Sequence, residues 1–211
     1  MKIHNRVLIL FAHPALQKSR VNRAMIKQVR TIRGIQFHDL YEAYPEFDID
    51  VSHEQGLLEA NDVIVFQHPF FWYSTPAIFK EWLDLVLEHD WAYGSKGNAL
   101  HGKYVMHAVT TGGRESAYGA QGLNRYSMRQ FLRPLEQTAQ LCGMHFLPPF
   151  IVHGTHQLTP AAIAQHAADY RQVIKALRDG RFDFEDVSEY PRINANLSET
   201  LSLTEGEQHA R

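Results

Sequence analysis

The sequence predicts an α/β fold: a doubly wound, five-stranded parallel sheet of order 2-1-3-4-5 with helices on both faces. Short runs of β-branched residues alternate with helical patterns along the whole chain, which is typical of a parallel sheet. The run Val7–Phe11 is continuously apolar, as expected for a central strand covered on both sides. The length of 211 residues suits one domain of ordinary size, for which this strand order is favoured.

Five segments have the composition of strands. Two of them, Val7–Phe11 and 63–66, are wholly apolar, and the fifth contains Pro148-Pro149, which suits an irregular or edge strand better than a central one. The predicted strands are 7–11, 34–40, 63–66, 104–110 and 146–152.

Five helices are predicted between and after these strands. Four of the starts are marked by a capping residue or a proline, and the last helix ends at Gly180. The fourth contains Pro134, so we expect it to begin late or to be kinked. The predicted starts are Ser19 for a helix to about Arg30, the capping box Ser52–Gln55, Thr75-Pro76, a helix around 126–141, and Thr159-Pro160.

Composition divides the chain into a domain, residues 1–182, and an acidic C-terminal tail, residues 183–211. The tail has seven acidic residues against two arginines and no sustained hydrophobic period. Such a segment is expected to be disordered or docked on a dimer, where it would act as an arm that binds a partner.

Charge and cysteine content exclude several classes of protein. The 21 Lys and Arg against 23 Asp and Glu give a net charge of −2, so no global basic field exists to bind nucleic acid. The single cysteine, Cys142, excludes an intrachain disulfide framework and fits a reducing compartment. No targeting segment or membrane span is recognisable, so we expect a cytoplasmic protein.

Ligands of such sheets bind beyond the carboxyl ends of the strands, near the switch in strand order. After the first strand come His13 and then Ser19 and Asn22 at a helix start, where free amides favour a phosphate group. The alternative is that Ser19 is only a helix cap and His13 a loop residue. No G-x-G-x-x-G or P-loop motif is present.

The segments after the third and fourth strands are also unusual. Phe70–Tyr73 are four consecutive aromatic residues, which either form the floor of a site for a flat ligand or pack in the core or a dimer. Thr110–Gly113 is a glycine loop that allows close approach of the backbone to a ring, or a loop that is merely flexible.

With these motifs, the chain resembles the flavodoxin-like NAD(P)H:quinone oxidoreductases, and among them the ancillary proteins of glutathione-gated potassium-efflux (Kef) antiporters. The resemblance covers roughly residues 6–180. Its motifs are Ala12-His13-Pro14 with Ser19 and Asn22, Asp39-Leu40-Tyr41 with Tyr44-Pro45, Phe66–Pro69, Trp72-Tyr73-Ser74, Lys80–Asp84, Trp91–Gly94, Leu100–Lys103, Thr110–Gly113, Arg133-Pro134 and Cys142.

The resemblance implies FMN as the cofactor, rather than FAD, with NADH or NADPH as co-substrate and no metal. The residues that match the phosphate-binding segment are His13, Ser19, Arg20, Val21 and Asn22. Those that match the two loops along the flavin ring are Phe70, Phe71, Trp72, Tyr73, Thr110, Thr111, Gly112 and Gly113.

Two further positions match catalytic residues of the family. Tyr118 matches a tyrosine that stabilises charge on the reduced ring, and Asn124 stands where related reductases have a histidine. Asparagine donates a hydrogen bond but does not titrate near neutral pH, so a proton relay through this position is not expected.

The resemblance implies two functions. One is hydride transfer from NAD(P)H to a quinone by a ping-pong mechanism, in a homodimer. The alternative is a flavin-binding regulatory subunit of a potassium-efflux antiporter, peripheral at the inner face of the cell membrane through that partner. Neither function involves nucleic acid.

Overall fold

A computed structural model describes residues 4–182, 190–195 and 197. Its sheet is parallel throughout, with the order β2-β1-β3-β4-β5, and β6 also pairs with β4. The predicted fold and strand order are therefore confirmed. The strands are β1 (Val7–Phe11), β2 (Ile35–Asp39), β3 (Val63–Pro69), β4 (Tyr104–Thr110), β5 (His145–Phe146) and β6 (Phe150–Val152).

The fifth predicted strand is divided in two. β5 and β6 lie one after the other along β4, pairing His145 with Tyr104 and Phe150 with Ala108. The interruption falls at Pro148-Pro149, because proline has no N–H to donate to the neighbouring strand.

Seven α-helices and two short 3₁₀ turns, Leu16–Lys18 and Glu115–Ala117, occur in the described residues. The helix α2 was not predicted. The helices are α1 (Arg20–Val29), α2 (Leu40–Ala43), α3 (Val51–Glu59), α4 (Ala77–Val86), α5 (Met128–Phe131), α6 (Arg133–Leu141) and α7 (Pro160–Arg178).

Some predicted helix starts are correct and others are wrong. Ser19 and Thr159 cap α1 and α7 as predicted, each accepting a backbone N–H. The capping box at Ser52 is wrong, because Asp50 is the cap of α3 and accepts from the amide of His53. The helix predicted over 126–141 is two helices, since α6 begins anew just before Pro134.

Helices cover the sheet on both faces. On one face α1 and α7 bury Met25 and Tyr170 against β1 and β3, and on the other α3, α4 and α6 bury Leu58 and Trp82. All five residues of β1 are buried, as the apolar run predicted. No helix in the described part of the chain has the length and apolar character needed to cross a membrane.

Glu54 is a fully buried carboxylate on the α3 side of the sheet. Its Oε1 accepts hydrogen bonds from the Tyr44 hydroxyl at 2.6 Å and from His38 Nε2 at 2.7 Å, and its Oε2 accepts from Trp82 Nε1 at 2.8 Å. Burial alone would raise the pKa of Glu54, but these donors together hold it below its ordinary value. The group ties β2, α3 and α4 together as an ionised acceptor.

Residues 190–195, which fall within the predicted tail, pack on the domain itself. Ile193 is fully buried in the core beneath α7 and donates its amide to the carbonyl of Pro149 at 2.9 Å. The Asn194 carboxamide accepts from the amide of Ile151 at 3.0 Å and donates to its carbonyl at 2.9 Å. Most of the rest of the predicted tail lies outside the described residues.

Candidate functional site

The carboxyl ends of β1, β3, β4 and β6 enclose a cavity of about 350 Å³, which we call the sheet-edge cavity. Its volume lies within the range of about 300–1,000 Å³ that is usual for small-molecule sites. It is lined by His13, Ala15, Lys18, Ser19, Arg20, Val21, Pro69, Phe70, Phe71, Thr110, Gly112, Thr155 and His156.

The start of α1 provides the polar end of this cavity. Ser19 caps the helix by accepting the amide of Asn22 at 3.2 Å, while the amides of Arg20 and Val21, in the first turn, have no intrahelical acceptor. The Arg20 guanidinium is held over the same end by a hydrogen bond to the carbonyl of Leu158 at 3.0 Å. Free amides, a helix dipole and a guanidinium form a donor set that fits a phosphate group.

Asn22 lies behind the cavity wall rather than in the cavity. It is fully buried, and its Nδ2 donates to Thr110 Oγ1 at 2.9 Å while its Oδ1 accepts from Gln67 Nε2 at 3.1 Å. Gln67 Oε1 accepts in turn from the Tyr170 hydroxyl at 3.0 Å. Asn22 therefore connects β3, β4 and α1, and its side chain positions the cavity wall.

His13 contributes a neutral ring to the cavity. Its Nδ1 accepts the amide of Ala15 at 3.1 Å, and burial lowers the pKa of the ring below its ordinary value. In the neutral form the proton is consequently on Nε2, which is a hydrogen-bond donor.

The aromatic loop divides into a fixed half and an exposed half. The amide of Phe70 donates to the carbonyl of Thr110 at 2.8 Å, so Phe70 is fixed beside β4. Phe71 and Ser74 pair through two backbone hydrogen bonds around Trp72 and Tyr73, whose φ angles are 48° and 64°. Trp72 is 93% exposed and Tyr73 54%, and neither lines the sheet-edge cavity.

A buried histidine pair supports the start of this loop. His68 Nδ1 lies 3.0 Å from the carbonyl oxygen of Pro69, which only accepts, so this nitrogen carries the proton. His68 Nε2 then accepts from His107 Nδ1 at 3.2 Å. Burial lowers the pKa of His68 to about 4, so the pair is uncharged at neutral pH.

The loop after β4 approaches the cavity closely because it contains two glycines. The amide of Thr111 donates to the carbonyl of Val152 at 2.9 Å, which ties the loop to β6. A Cβ on Gly112 would lie 2.8 Å from the ring of His156, and one on Gly113 would lie 2.8 Å from the Tyr118 hydroxyl. Any larger residue at either position would displace these neighbours.

The two predicted catalytic residues are placed differently. The Tyr118 hydroxyl lies 2.6 Å from Thr111 Oγ1, so Tyr118 is joined to the loop after β4. Asn124 Oδ1 accepts from the Tyr73 hydroxyl at 3.3 Å and so belongs to the exposed aromatic turn. The side chains of Tyr118 and Asn124 share no hydrogen bond among the described residues.

Eight of the predicted cofactor-binding residues line the sheet-edge cavity and five do not. Those that do not are Asn22, Trp72, Tyr73, Thr111 and Gly113.

Several residues that line the sheet-edge cavity were not predicted from the sequence. Of these, Thr155 and His156 follow β6 and reach the cavity from the same sheet edge, and Lys18 comes from the first 3₁₀ turn. The strand-end rule that selected the other three loops would also have selected the loop after β6.

Comparison with known proteins agrees with this fold. Residues 5–174 match the family described by its flavodoxin-like fold. The chain is 49% identical over 165 residues to the glutathione-regulated potassium-efflux system ancillary protein KefG of Salmonella typhimurium, covering 78% of this chain and 90% of that protein.

Two solved structures are similar over most of their length. General stress protein 14 of Treponema denticola, in complex with FMN, is 39% identical with a TM-score of 0.77, covering 82% of this chain and 99% of that one. An NADPH-quinone reductase from P. pentosaceus is 32% identical with a TM-score of 0.73, covering 80% and 96%. The chain belongs to the flavodoxin-like fold family, among relatives that include potassium-efflux ancillary proteins and quinone reductases.

Proposed function

We propose that the protein binds FMN in the sheet-edge cavity and transfers hydride from NADH or NADPH to quinones. The observation that carries the proposal is the pairing of a phosphate-binding helix start at Ser19–Val21 with an aromatic and glycine wall at Phe70, Phe71 and Gly112. The FMN complex of the Treponema protein and the quinone reductase of P. pentosaceus support it.

When bound, FMN supplies two-electron redox chemistry, and the protein supplies binding, orientation and electrostatics. The amides of Arg20 and Val21 would hold the phosphate, with the Arg20 guanidinium as counter-charge. Phe70 and Phe71 would pack on the flavin and exclude water, and the loop at Gly112 would let backbone amides approach it.

Tyr118 and Asn124 are the proposed catalytic residues. The Tyr118 hydroxyl, hydrogen-bonded to Thr111, would donate the hydrogen bond that stabilises negative charge on the reduced flavin. Asn124 would act as a polar group next to Tyr73 that does not titrate near neutral pH. We propose that NAD(P)H and the quinone bind in turn in this cavity, as a ping-pong mechanism requires.

The first experiment measures binding of FMN and of riboflavin, which lacks the phosphate, by quenching of flavin fluorescence. We expect Arg20→Gln to weaken FMN at least tenfold and riboflavin little, whereas the matched charge change Arg23→Gln, further along α1, leaves both unchanged. Absorbance at flavin wavelengths then shows bleaching by NADH or NADPH and recovery on addition of a quinone. A wild-type protein that binds neither flavin contradicts the proposal.

A second candidate function is that of an ancillary subunit of a potassium-efflux antiporter, peripheral at the membrane through that partner. The observation that favours it is the 49% identity to KefG across 90% of that protein. The exposed turn at Trp72 and Tyr73 provides an apolar surface for the antiporter or for a second copy in a homodimer.

Calorimetry with the isolated cytosolic domain of such an antiporter tests this function. We expect binding at micromolar concentration that Trp72→Asn weakens at least tenfold. The absence of heat with a folded domain contradicts it, whatever the flavin experiments show.

A further inference from the structure

A second cavity, of about 180 Å³, borders Tyr118 and shares no lining residue with the sheet-edge cavity. We call it the arginine cavity. It is lined by Glu115, Tyr118, Ser127, Met128, Arg129, Ile151, His153, Pro191, Arg192 and Ala195.

Two guanidinium groups on its wall are largely removed from solvent. The side chain of Arg192 is 22% exposed and that of Arg129 is 23% exposed. Arg192 Nη1 pairs with Glu115 at 2.6 Å, but its Nε is buried and has no hydrogen-bond partner among the described residues. Arg129 Nη2 pairs with Glu136 at 3.0 Å and its Nη1 donates to the carbonyl of Tyr190 at 3.4 Å, so Arg129 contributes its charge and the second N–H of each of these nitrogens.

His153 adds a third polar group to the same wall. Its Nδ1 is buried and, in the described part of the chain, has no hydrogen-bond partner. Its ring packs on that of Tyr118, with centroids 5.3 Å apart, and burial lowers its pKa to about 4. Buried polar atoms without partners are rare in folded proteins, because each loses its hydration and gains nothing in return.

The wall formed by the C-terminal segment is firmly held. Pro191, Arg192 and Ala195 flank Ile193 and Asn194, which are fixed by burial and by the hydrogen bonds to Pro149 and Ile151. Arg192 is therefore placed over the cavity by a fixed backbone rather than by a loose surface chain.

We propose that the arginine cavity binds an anionic oxygen group, a phosphate or a carboxylate, between Arg192, Arg129 and His153. Guanidinium groups match the planar and tetrahedral oxygen arrangements of these anions. The volume is below the usual minimum of about 300 Å³ for a whole small-molecule site, so the ligand is a small free anion or the charged end of a larger molecule. The Glu115 carboxylate pairs with Nη1 of Arg192 and therefore competes with the ligand for this guanidinium.

The test uses NMR of the histidine rings in the full chain, titrated with inorganic phosphate and separately with acetate at constant ionic strength. His153 reports on the arginine cavity and His156 on the sheet-edge cavity, so the two sites are distinguished with or without FMN. Signals are assigned with His153→Gln and His156→Gln.

We expect phosphate or acetate to shift the His153 signal saturably and to raise its pKa, because an anion stabilises the protonated ring. Arg192→Gln weakens this binding at least tenfold and Glu115→Gln tightens it. Arg6→Gln, which removes the same charge from an exposed pair with Asp62, leaves it unchanged.

Comparison of nucleotides with the free anions then separates the two sources of the ligand. Tighter binding of NADPH than of NADH, again lost in Arg192→Gln, identifies the charged end of a larger molecule, and tighter binding of phosphate or acetate identifies a free anion. A His153 signal that no anion moves, or equal losses in Arg192→Gln and Arg6→Gln, overturns the proposal. Since His153 is observed without flavin, this result is independent of the proposed reductase activity.

Discussion

The hydroxyl groups of Tyr118 and Thr111 lie 2.6 Å apart, and this hydrogen bond joins the second 3₁₀ turn to the loop after β4. Thr111 is itself fixed to β6 through its amide and the carbonyl of Val152. The tyrosine hydroxyl thus has one defined position beside the glycine loop, which its proposed role in stabilising charge requires.

Removing this hydroxyl tests its role. We expect Tyr118→Phe to slow the reduction of bound FMN by NADH about tenfold, which corresponds to about 1.4 kcal/mol of lost charge stabilisation. Stopped-flow absorbance measures the rate, and fluorescence quenching checks that FMN affinity is retained. The control is Tyr126→Phe, an exposed tyrosine of the same loop. Equal rates in wild type and Tyr118→Phe would show that the hydroxyl has no part in the reaction.

Asn22 is expected to matter for stability and for the shape of the cavity. Asn22→Ala leaves Gln67 Nε2 without its buried acceptor and Thr110 Oγ1 without its donor, at a cost of about 2–4 kcal/mol. Urea denaturation measures the free energy of unfolding. Asn98→Ala, at an exposed position, should change it by less than about 0.5 kcal/mol. A similarly small loss in Asn22→Ala would mean that the buried network contributes little.

The carboxylate of Glu54 predicts a pH dependence of stability. Because its folded-state pKa is lowered, its contribution is complete above the unfolded value of 4.5 and is lost as pH falls through the folded value. Glu54→Gln should reduce the free energy of unfolding by about 2–3 kcal/mol at pH 7, since an amide N–H₂ then faces buried donors.

Denaturation of both proteins between pH 3 and pH 7 measures this difference. The difference in the free energy of unfolding between wild type and Glu54→Gln should become smaller as the pH falls below 4.5. The exposed Glu81→Gln should differ from wild type by a small and constant amount. A gap between wild type and Glu54→Gln that is independent of pH contradicts an ionised Glu54.

Trp72 has a backbone conformation that its side chain does not favour. A left-handed conformation costs a non-glycine residue about 1–2 kcal/mol, and the exposed indole gains little packing in return. Trp72→Asn should therefore leave the monomer as stable or up to about 1 kcal/mol more stable, because asparagine tolerates this region.

If the turn holds two copies together, sedimentation velocity should show dimers of the wild type and at least tenfold weaker association in Trp72→Asn. Leu141→Asn removes an exposed apolar side chain on α6 and serves as control. A wild-type protein that remains monomeric at all concentrations contradicts the predicted homodimer.

The strand order, and the sheet edge at which the candidate cavity lies, could be predicted because they depend on patterns that few alternatives share. An apolar run such as Val7–Phe11 has no solvent-facing side, and helix starts at Ser19 and Thr159 are marked by side chains that cap the nearest amides. The cap of α3 was misassigned because Asp50 and Ser52 are both good capping residues two positions apart. Only the tertiary position of the helix selects between them.

The parts of the site that were not predicted depend on contacts distant in sequence. Asn22 was expected at the ligand, yet its side chain belongs to a buried hydrogen-bond network behind the cavity wall. Its partner Gln67 lies 45 residues further along the chain, and Tyr170, which bonds to Gln67, lies another 103 residues along. The burial of Ile193 in the core was not predicted, because a single buried residue in an acidic segment produces no periodic hydrophobic pattern. The roles of such residues can be assigned only when the residues that they contact in the folded protein are known.

The carboxamide of Asn194 occupies both backbone groups of Ile151, as a neighbouring strand would. An open strand edge is a template on which other chains can pair, so this single side chain protects β6 against aggregation. Proteolysis or truncation that removes the segment would uncover that edge together with the core surface beneath Ile193. Shortened forms of the protein should consequently precipitate or form β-rich assemblies, even where the sheet itself is intact.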